Sequence, residues 1–340
     1  MASKFRIFLL RITITSLTLV GISTIYDFLS IPVQASNFHA QSTDVESDNF
    51  LFYFQQGFDL LESGKYEEAI ELFDRSIEIQ PNSHETWQNR GTALYELGKY
   101  EEAIISFDRA LEIKRDFHYA WVSKGLALGQ LGKYDEVIAS FDRAIEIQPD
   151  DYETWHNRGT ALLWLIRYEE AMISFDKAIE IQPDFHHAWV SRGLVLSQLR
   201  KYDEAVASFD RAIEVQPDYH RAWSHRGTAL VYLGKNREAL ASFDQAIEIQ
   251  PDDSDAWNRR GAALLGLRRY EDAIVSYNKS IEIQPDYHRA WFGKGLAYIG
   301  RGNKTQAIDH LRKAAQFAQQ NNDVGFYQKV QDILLLLQGQ

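Results

Sequence analysis

The chain has 340 residues, with 48 acidic against 36 basic side chains and a formal net charge of −12. That balance argues against a nucleic-acid backbone as the main partner. There is no cysteine, which excludes disulfides, thiolate metal sites and a cysteine nucleophile together.

Three basic residues, Lys4, Arg6 and Arg11, open the chain; the uncharged run Ile12 to Tyr26 follows, and then Pro32-Val33-Gln34-Ala35. A basic start, an apolar middle and a small residue closing a V-x-A site are similar to a secretory signal peptide cleaved after Ala35. The uncharged run is shorter than the roughly 20 residues a spanning helix needs. Residues 1–35 are therefore expected to direct export to a periplasmic or extracellular location. Left uncleaved, they would anchor the chain and provide its one contact with a membrane. Residues 36–49 are polar, lack an apolar period and read as a flexible leader.

From residue 50 to 320 the sequence repeats. Trp87, Trp121, Trp155, Trp189, Trp223, Trp257 and Trp291 recur every 34 residues, each followed four residues later by glycine, from Gly91 to Gly295. Tyr53 and Gly57 hold the same places in a weaker first copy, which makes eight. A fixed period of this size is the mark of a stacked repeat array, which grows without dividing, so one domain is expected. Within a copy, Trp121, Gly125 and Leu128 share one face of a first helix, and Val137, Phe141 and Ala144 share one face of a second. Gly132 closes the first helix in a left-handed turn, and Pro149 ends the second. The large Trp121 ring is expected to fill the space left by Gly125 and Ala144.

This order of Trp, Gly, Tyr, Ala, Phe, Ala and Pro resembles the tetratricopeptide repeat. The departures are local: Arg115 replaces a proline, Val137 an alanine, and Tyr277 and Leu311 the phenylalanine. At the turn, Ile166, Arg200 and Arg268 replace glycine, and β-branched Ile166 is expected to take a different conformation from Gly132. The resemblance implies an all-α fold, a right-handed superhelical α-solenoid of helix-turn-helix repeats. A last helix over 323–338, with Val324, Tyr327, Val330, Leu334 and Leu337 at helical spacing, is expected to cap it within a final segment 321–340.

The resemblance also implies that the first helix of each repeat lines a concave groove. The residues two before and one, five, eight and nine after the tryptophan would point into it, within roughly a 100° arc. Candidate partner-binding residues in the early copies are Tyr95, Tyr119, Val122, Leu126, His156 and Trp164. In the later copies they are His187, Val190, Arg221, Tyr232, Arg289 and Phe292. Charge along these places runs from acidic, at Glu85, Glu96 and Glu153, to basic, at Arg221 and Arg289. No lysine stands one residue after any of the seven tryptophans, so the clamp by which some relatives hold an acidic C-terminal peptide is not expected. A partner segment with hydrophobic side chains fits better.

Other chemistry finds no support. The column from Arg90 to Lys294, directly before each glycine, falls beside the packing face and is expected to pair with acidic residues of the second helices. His84, His118, His186, His220 and His288 come one to a repeat, too far apart to share a metal. No phosphate loop or nucleophile elbow occurs, so neither a cofactor nor catalysis is expected. The expected function is a non-catalytic scaffold for a protein or peptide partner, aiding assembly of an envelope complex. Two alternatives stand beside it: self-association through the apolar edge Phe50 to Phe54, and service as an accessory subunit of a separate enzyme.

Overall fold

The computed structural model describes residues 45–338, and these form seventeen α-helices with no strand among them. The segment 1–35 and residues 36–44 lie outside the described residues. The described residues divide between Pro183 and Asp184 into two units, where the sequence leads one to expect a single array.

The first unit contains α1 Val45–Glu62, α2 Tyr66–Ile79, α3 His84–Glu96, α4 Tyr100–Ile113, α5 His118–Gln130, α6 Tyr134–Ile147, α7 Tyr152–Trp164 and α8 Tyr168–Ile181. The second contains α9 His186–Gln198, α10 Tyr202–Val215, α11 His220–Tyr232, α12 Asn236–Ile249, α13 Ser254–Gly266, α14 Tyr270–Ile283, α15 His288–Gly300, α16 Lys304–Gln320 and the cap α17 Val324–Gln338. In both, odd-numbered helices are the first of each pair and pack against the even-numbered helix that follows. First helices of successive repeats also touch: α1 with α3 and α3 with α5 in one unit, and α9, α11, α13 and α15 in series in the other.

The core of six of the eight pairs is a phenylalanine set against a glycine; Tyr277 takes that place against Gly261, and Leu311 against Gly295. Phe73, Phe107, Phe141, Phe175, Phe209 and Phe243 are almost completely buried, each contributing roughly 1.5–3 kcal/mol. A Cβ on Gly125 would stand 2.8 Å from Phe141, and one on Gly159 2.6 Å from Phe175, so only glycine admits the ring. This corrects the expected pairing of tryptophan with glycine. The tryptophans are half-buried and lie elsewhere: Trp87 and Trp121 pack on Ala110 and Ala120, and Trp223 and Trp257 on Ala246 and Ala256. Each of these indoles, and those of Trp155 and Trp291, donates its Nε1 hydrogen to the backbone carbonyl six residues earlier, at 2.8–3.0 Å.

The turns overturn a second expectation. Ile166 has φ 60, the left-handed value that Gly132 takes at φ 70. The same two bonds close both helices: Ile166 N to Leu163 O at 3.0 Å with Arg167 N to Leu162 O at 2.9 Å, matching Gly132 N to Gly129 O and Lys133 N to Leu128 O, both at 3.0 Å. Left unmade, those bonds would strand two amides at the helix end. The steric cost of a left-handed residue, roughly 1–2 kcal/mol, is smaller than that loss, and the Ile166 side chain points to solvent.

At the start of the first unit, α1 begins at Val45, five residues before the leader was expected to end. It turns Phe50, Phe54 and Phe58 inward and leaves Phe52 exposed, so the apolar edge is mostly absorbed by its own repeat. At the far end of the second unit, α17 covers the last pair, with Phe326, Val330 and Leu334 buried against Leu311 and Ala315.

Candidate partner-binding face

A helix turns by about 100° per residue, which places the residues two before and five and nine after the tryptophan within about 40° of one another. These three columns are the open ones. In the first unit they hold Glu85, Tyr119 and Glu153, then Leu126 and Thr160, then Glu96, Gln130 and Trp164, all half-buried or exposed. Thr92 is the buried exception. The column one residue after the tryptophan lies about 60° to the side and meets the neighbouring first helix instead. Gln88, for example, donates to Ser123 of the next repeat at 2.8 Å.

Of the twelve candidate residues, Tyr119, Leu126, Trp164, Arg221, Tyr232 and Arg289 sit in the open columns and are half-buried or exposed. Tyr95, Val122, His156, His187 and Val190 are buried between helices, within reach of a partner only if the backbone moves. Phe292 is covered by the cap: it meets Phe326 edge-on at 5.1 Å, and the Lys329 ammonium lies 5.0 Å from its centroid.

Two exposed aromatic stacks recur 68 residues apart. Trp164 lies parallel to Tyr134, with centroids 6.0 Å apart and planes 7° apart. Tyr232 lies on Tyr202 in the same way, at 4.8 Å and 7°. The lower ring in each comes from the start of the preceding second helix, a position the sequence reading did not single out.

The electrostatics of the two units differ. In the first, burial raises the Glu96 carboxyl above its ordinary value, and burial together with Asp151 raises Glu153. Burial alone would raise Asp151 too, but hydrogen bonds from His118, at 2.9 Å, and from Thr154 hold it below. In the second unit, Arg259 bonds Asp255 at 2.5 Å and Thr228 at 2.6 Å, while the Tyr287 hydroxyl donates to the other Asp255 oxygen at 2.7 Å. Against the cost of burial, these bonds and the nearby Arg289 keep Asp255 ionised. Arg259 and Lys329 were missed from sequence, although the i, i+4 pairing of Asp255 with Arg259 was there to be read. Burial, helped by Arg259 and Arg221, pushes the His225 imidazole down to about 3.

The basic column does pair with the second helices: Arg90 with Asp74, Lys124 with Asp108, Arg158 with Asp142 and Arg260 with Asp244, each at 2.6 Å. Asn278 stands where a partner of Lys294 would be. Among the described residues no group of three or more His, Cys, Asp or Glu is placed to hold a metal ion. Nor is any described helix long and apolar enough to cross a membrane.

A tandem of antiparallel helix pairs, each closed by a large side chain set against a glycine, defines a helical repeat protein. Models of the tetratricopeptide repeat match residues 51–116, 118–151, 152–185, 184–252, 225–288 and 276–322, and the chain belongs to that family. Among solved structures it is similar to the C-terminal part of a TPR repeat-containing protein from Cytophaga hutchinsonii, with a TM-score of 0.59 and 18% identity over 71% of this chain and 98% of that one. A tetratricopeptide repeat protein from Parabacteroides merdae gives 0.56 and 19% over 74% and 99%. YrrB, described as a TPR protein with an unusual peptide-binding site, gives 0.47 and 25% over 54% and 95%. No curated protein matches the sequence. Proteins built from this repeat bind protein or peptide partners.

Proposed function

We propose that the protein is a non-catalytic scaffold that holds a segment of a partner protein along the first helices of its repeats. The observation that carries this reading is the set of half-buried and exposed apolar groups on those helices: Tyr119, Leu126 and the Trp164–Tyr134 stack in the first unit, and the Tyr232–Tyr202 stack in the second. Aromatic anchors on a surface already rigid before binding supply most of the energy in known interfaces. An open helical face also lacks the water-excluding pocket that catalysis requires.

Export belongs to the same reading and rests on the N-terminal sequence, with Ala35 as the cleavage point. The partner then resides outside the cytoplasm, and assembly of an envelope complex is the role we assign. The test is recovery of partners from that compartment by the wild type and by Tyr119→Ala combined with Trp164→Ala. Loss of the same bands from the variant is expected, and equal recovery overturns the reading. N-terminal sequencing of the mature protein should begin at Ser36; a chain that retains residues 1–35 removes the exported form.

A further inference from the structure

We propose that the open face of the first unit takes a cationic stretch of its partner, a segment bearing Lys or Arg side chains, held by Glu96, Glu153 and the Trp164–Tyr134 stack. The proposal rests on the groove reading above and adds the charge of the occupant.

Three observations converge on it. First, the unit is acidic, with 27 acidic and 13 basic side chains over residues 45–183. Its cations are largely committed on the second helices, as in Arg90 with Asp74, Arg109 with Glu112 and Lys177 with Glu180. Among the described residues no Lys or Arg pairs with Glu96 or Glu153, and the one donor to Glu153 from a side chain is the Tyr152 hydroxyl at 3.4 Å.

Second, Glu96 is in the wrong place for a structural carboxylate. Acidic side chains are favoured in the first turn of a helix, where the dipole is positive, and that accounts for Glu85 and Glu153. Glu96 is the last residue of α3, at the negative end, and burial already disfavours its charge. An exposed carboxylate at the negative end of its own helix, partly desolvated and with no cation paired to it, is a local conflict of the kind found at functional sites.

Third, the aromatic stack offers a cation a π-face. Trp164 ends the helix whose first turn holds Glu153, about 16 Å away at 1.5 Å per residue. An extended segment of about five residues covers that span, with one cationic side chain at the carboxylate and another over the half-buried indole. In the second unit the equivalent columns carry Arg221 and Arg289, and their one carboxylate, Asp255, is already bonded to Arg259 and Tyr287, which confines the segment to the first.

The test uses the full chain and three labelled peptides of equal length that alternate leucine with lysine, glutamate or serine, titrated by fluorescence anisotropy. The lysine peptide is expected to bind tightest. Glu96→Gln with Glu153→Gln should weaken it by about tenfold and leave the serine peptide unchanged. Glu112→Gln with Glu180→Gln, on second helices, should change neither. The thermal midpoint of Glu96→Gln should rise at neutral pH, which separates lost binding from lost folding. Unaltered affinity of the inner double variant for the lysine peptide, or an equal loss in the outer control, overturns the proposal. If Tyr119→Ala with Trp164→Ala still binds all three peptides, the groove reading itself fails. If that variant loses the serine peptide while the carboxylates prove inert, only the charge assignment falls.

Discussion

The two units are built by one rule and finished by different ones. Gly125 against Phe141 in the first and Gly227 against Phe243 in the second are the same contact to within a tenth of an ångström, and the indole bond to the preceding linker is as constant. Yet residues 45–183 carry 27 acidic and 13 basic side chains, whereas 184–338 carry 19 and 20. The open columns follow suit, with Glu85, Glu96 and Glu153 in one unit, and Arg221, Arg289 and the arginine-paired Asp255 in the other. In an array where each repeat packs only on its neighbours, the positions that hold the fold and the positions on the open face are separate sets, so the second set changes without disturbing the first.

That separation can be broken most forcefully in the core. Phe107→Ala and Phe243→Ala should each cost about 3–5 kcal/mol in chemical denaturation, and similar amounts, because each empties a completely buried slot. A difference greater than about 2 kcal/mol would mean that the units are not packed alike.

Next in size is a contrast between equivalent positions on first helices. Arg259→Ala strips Asp255 and Thr228 of their partner and should destabilise α13 by about 1–3 kcal/mol. Asn157→Ala, at the matching place in α7, should cost about 0.5 kcal/mol or less. Hydrogen exchange of the two helices reads both.

The pH dependence sharpens the comparison further. His225 is held at about 3 in the fold by burial, with Arg259, Arg221 and His220 raising the cost of a proton and Asp255 opposing them. An unfolded histidine titrates near 6.5, so below about pH 6.5 the unfolded chain takes up a proton that the folded one refuses. The stability this histidine contributes is complete above that pH and is lost as pH falls toward about 3. The matching residues of the first unit, Asn89, Ser123 and Asn157, do not titrate. His225→Gln should therefore flatten the acid loss measured by exchange in α11 and leave α5 unchanged.

The smallest effect lies in the turns. Ile166→Gly removes a left-handed β-branched residue but loosens the unfolded chain, for a net gain of about 0.5 kcal/mol. Arg268→Gly in the second unit should gain less, because arginine is not β-branched.

Helix pairing was legible in the sequence because tryptophan, glycine and proline recur without a slip, and the last helix, expected at 323–338, spans Val324–Gln338. The identity of the ring that fills the glycine notch was not. Both Trp121 and Phe141 lie on apolar faces, and periodicity says which face is buried without saying which side chain opposes which. Ile166 misled because a local preference was weighed without the two backbone bonds that depend on the turn. The open face was legible only in part. Helical arithmetic finds the arc, but how closely neighbouring first helices approach decides that Val122 and His156 are enclosed while Leu126 and Trp164 are not. Lys329 was out of reach, since the cap lies outside the repeat register that organised the search.

The bond from each indole to the linker carbonyl ends in a consequence for growth of the chain. At Arg115, where the usual proline is missing, the carbonyl accepts Trp121 Nε1 at 2.9 Å all the same. The clasp thus joins the ring of one copy to the main chain that ends the copy before it, and borrows nothing from that neighbour's side chains. Blocks secured in this way can be copied in tandem without redesigning the junctions. The 68-residue echo of Tyr134–Trp164 in Tyr202–Tyr232 is the pattern such copying leaves, one stack set down twice.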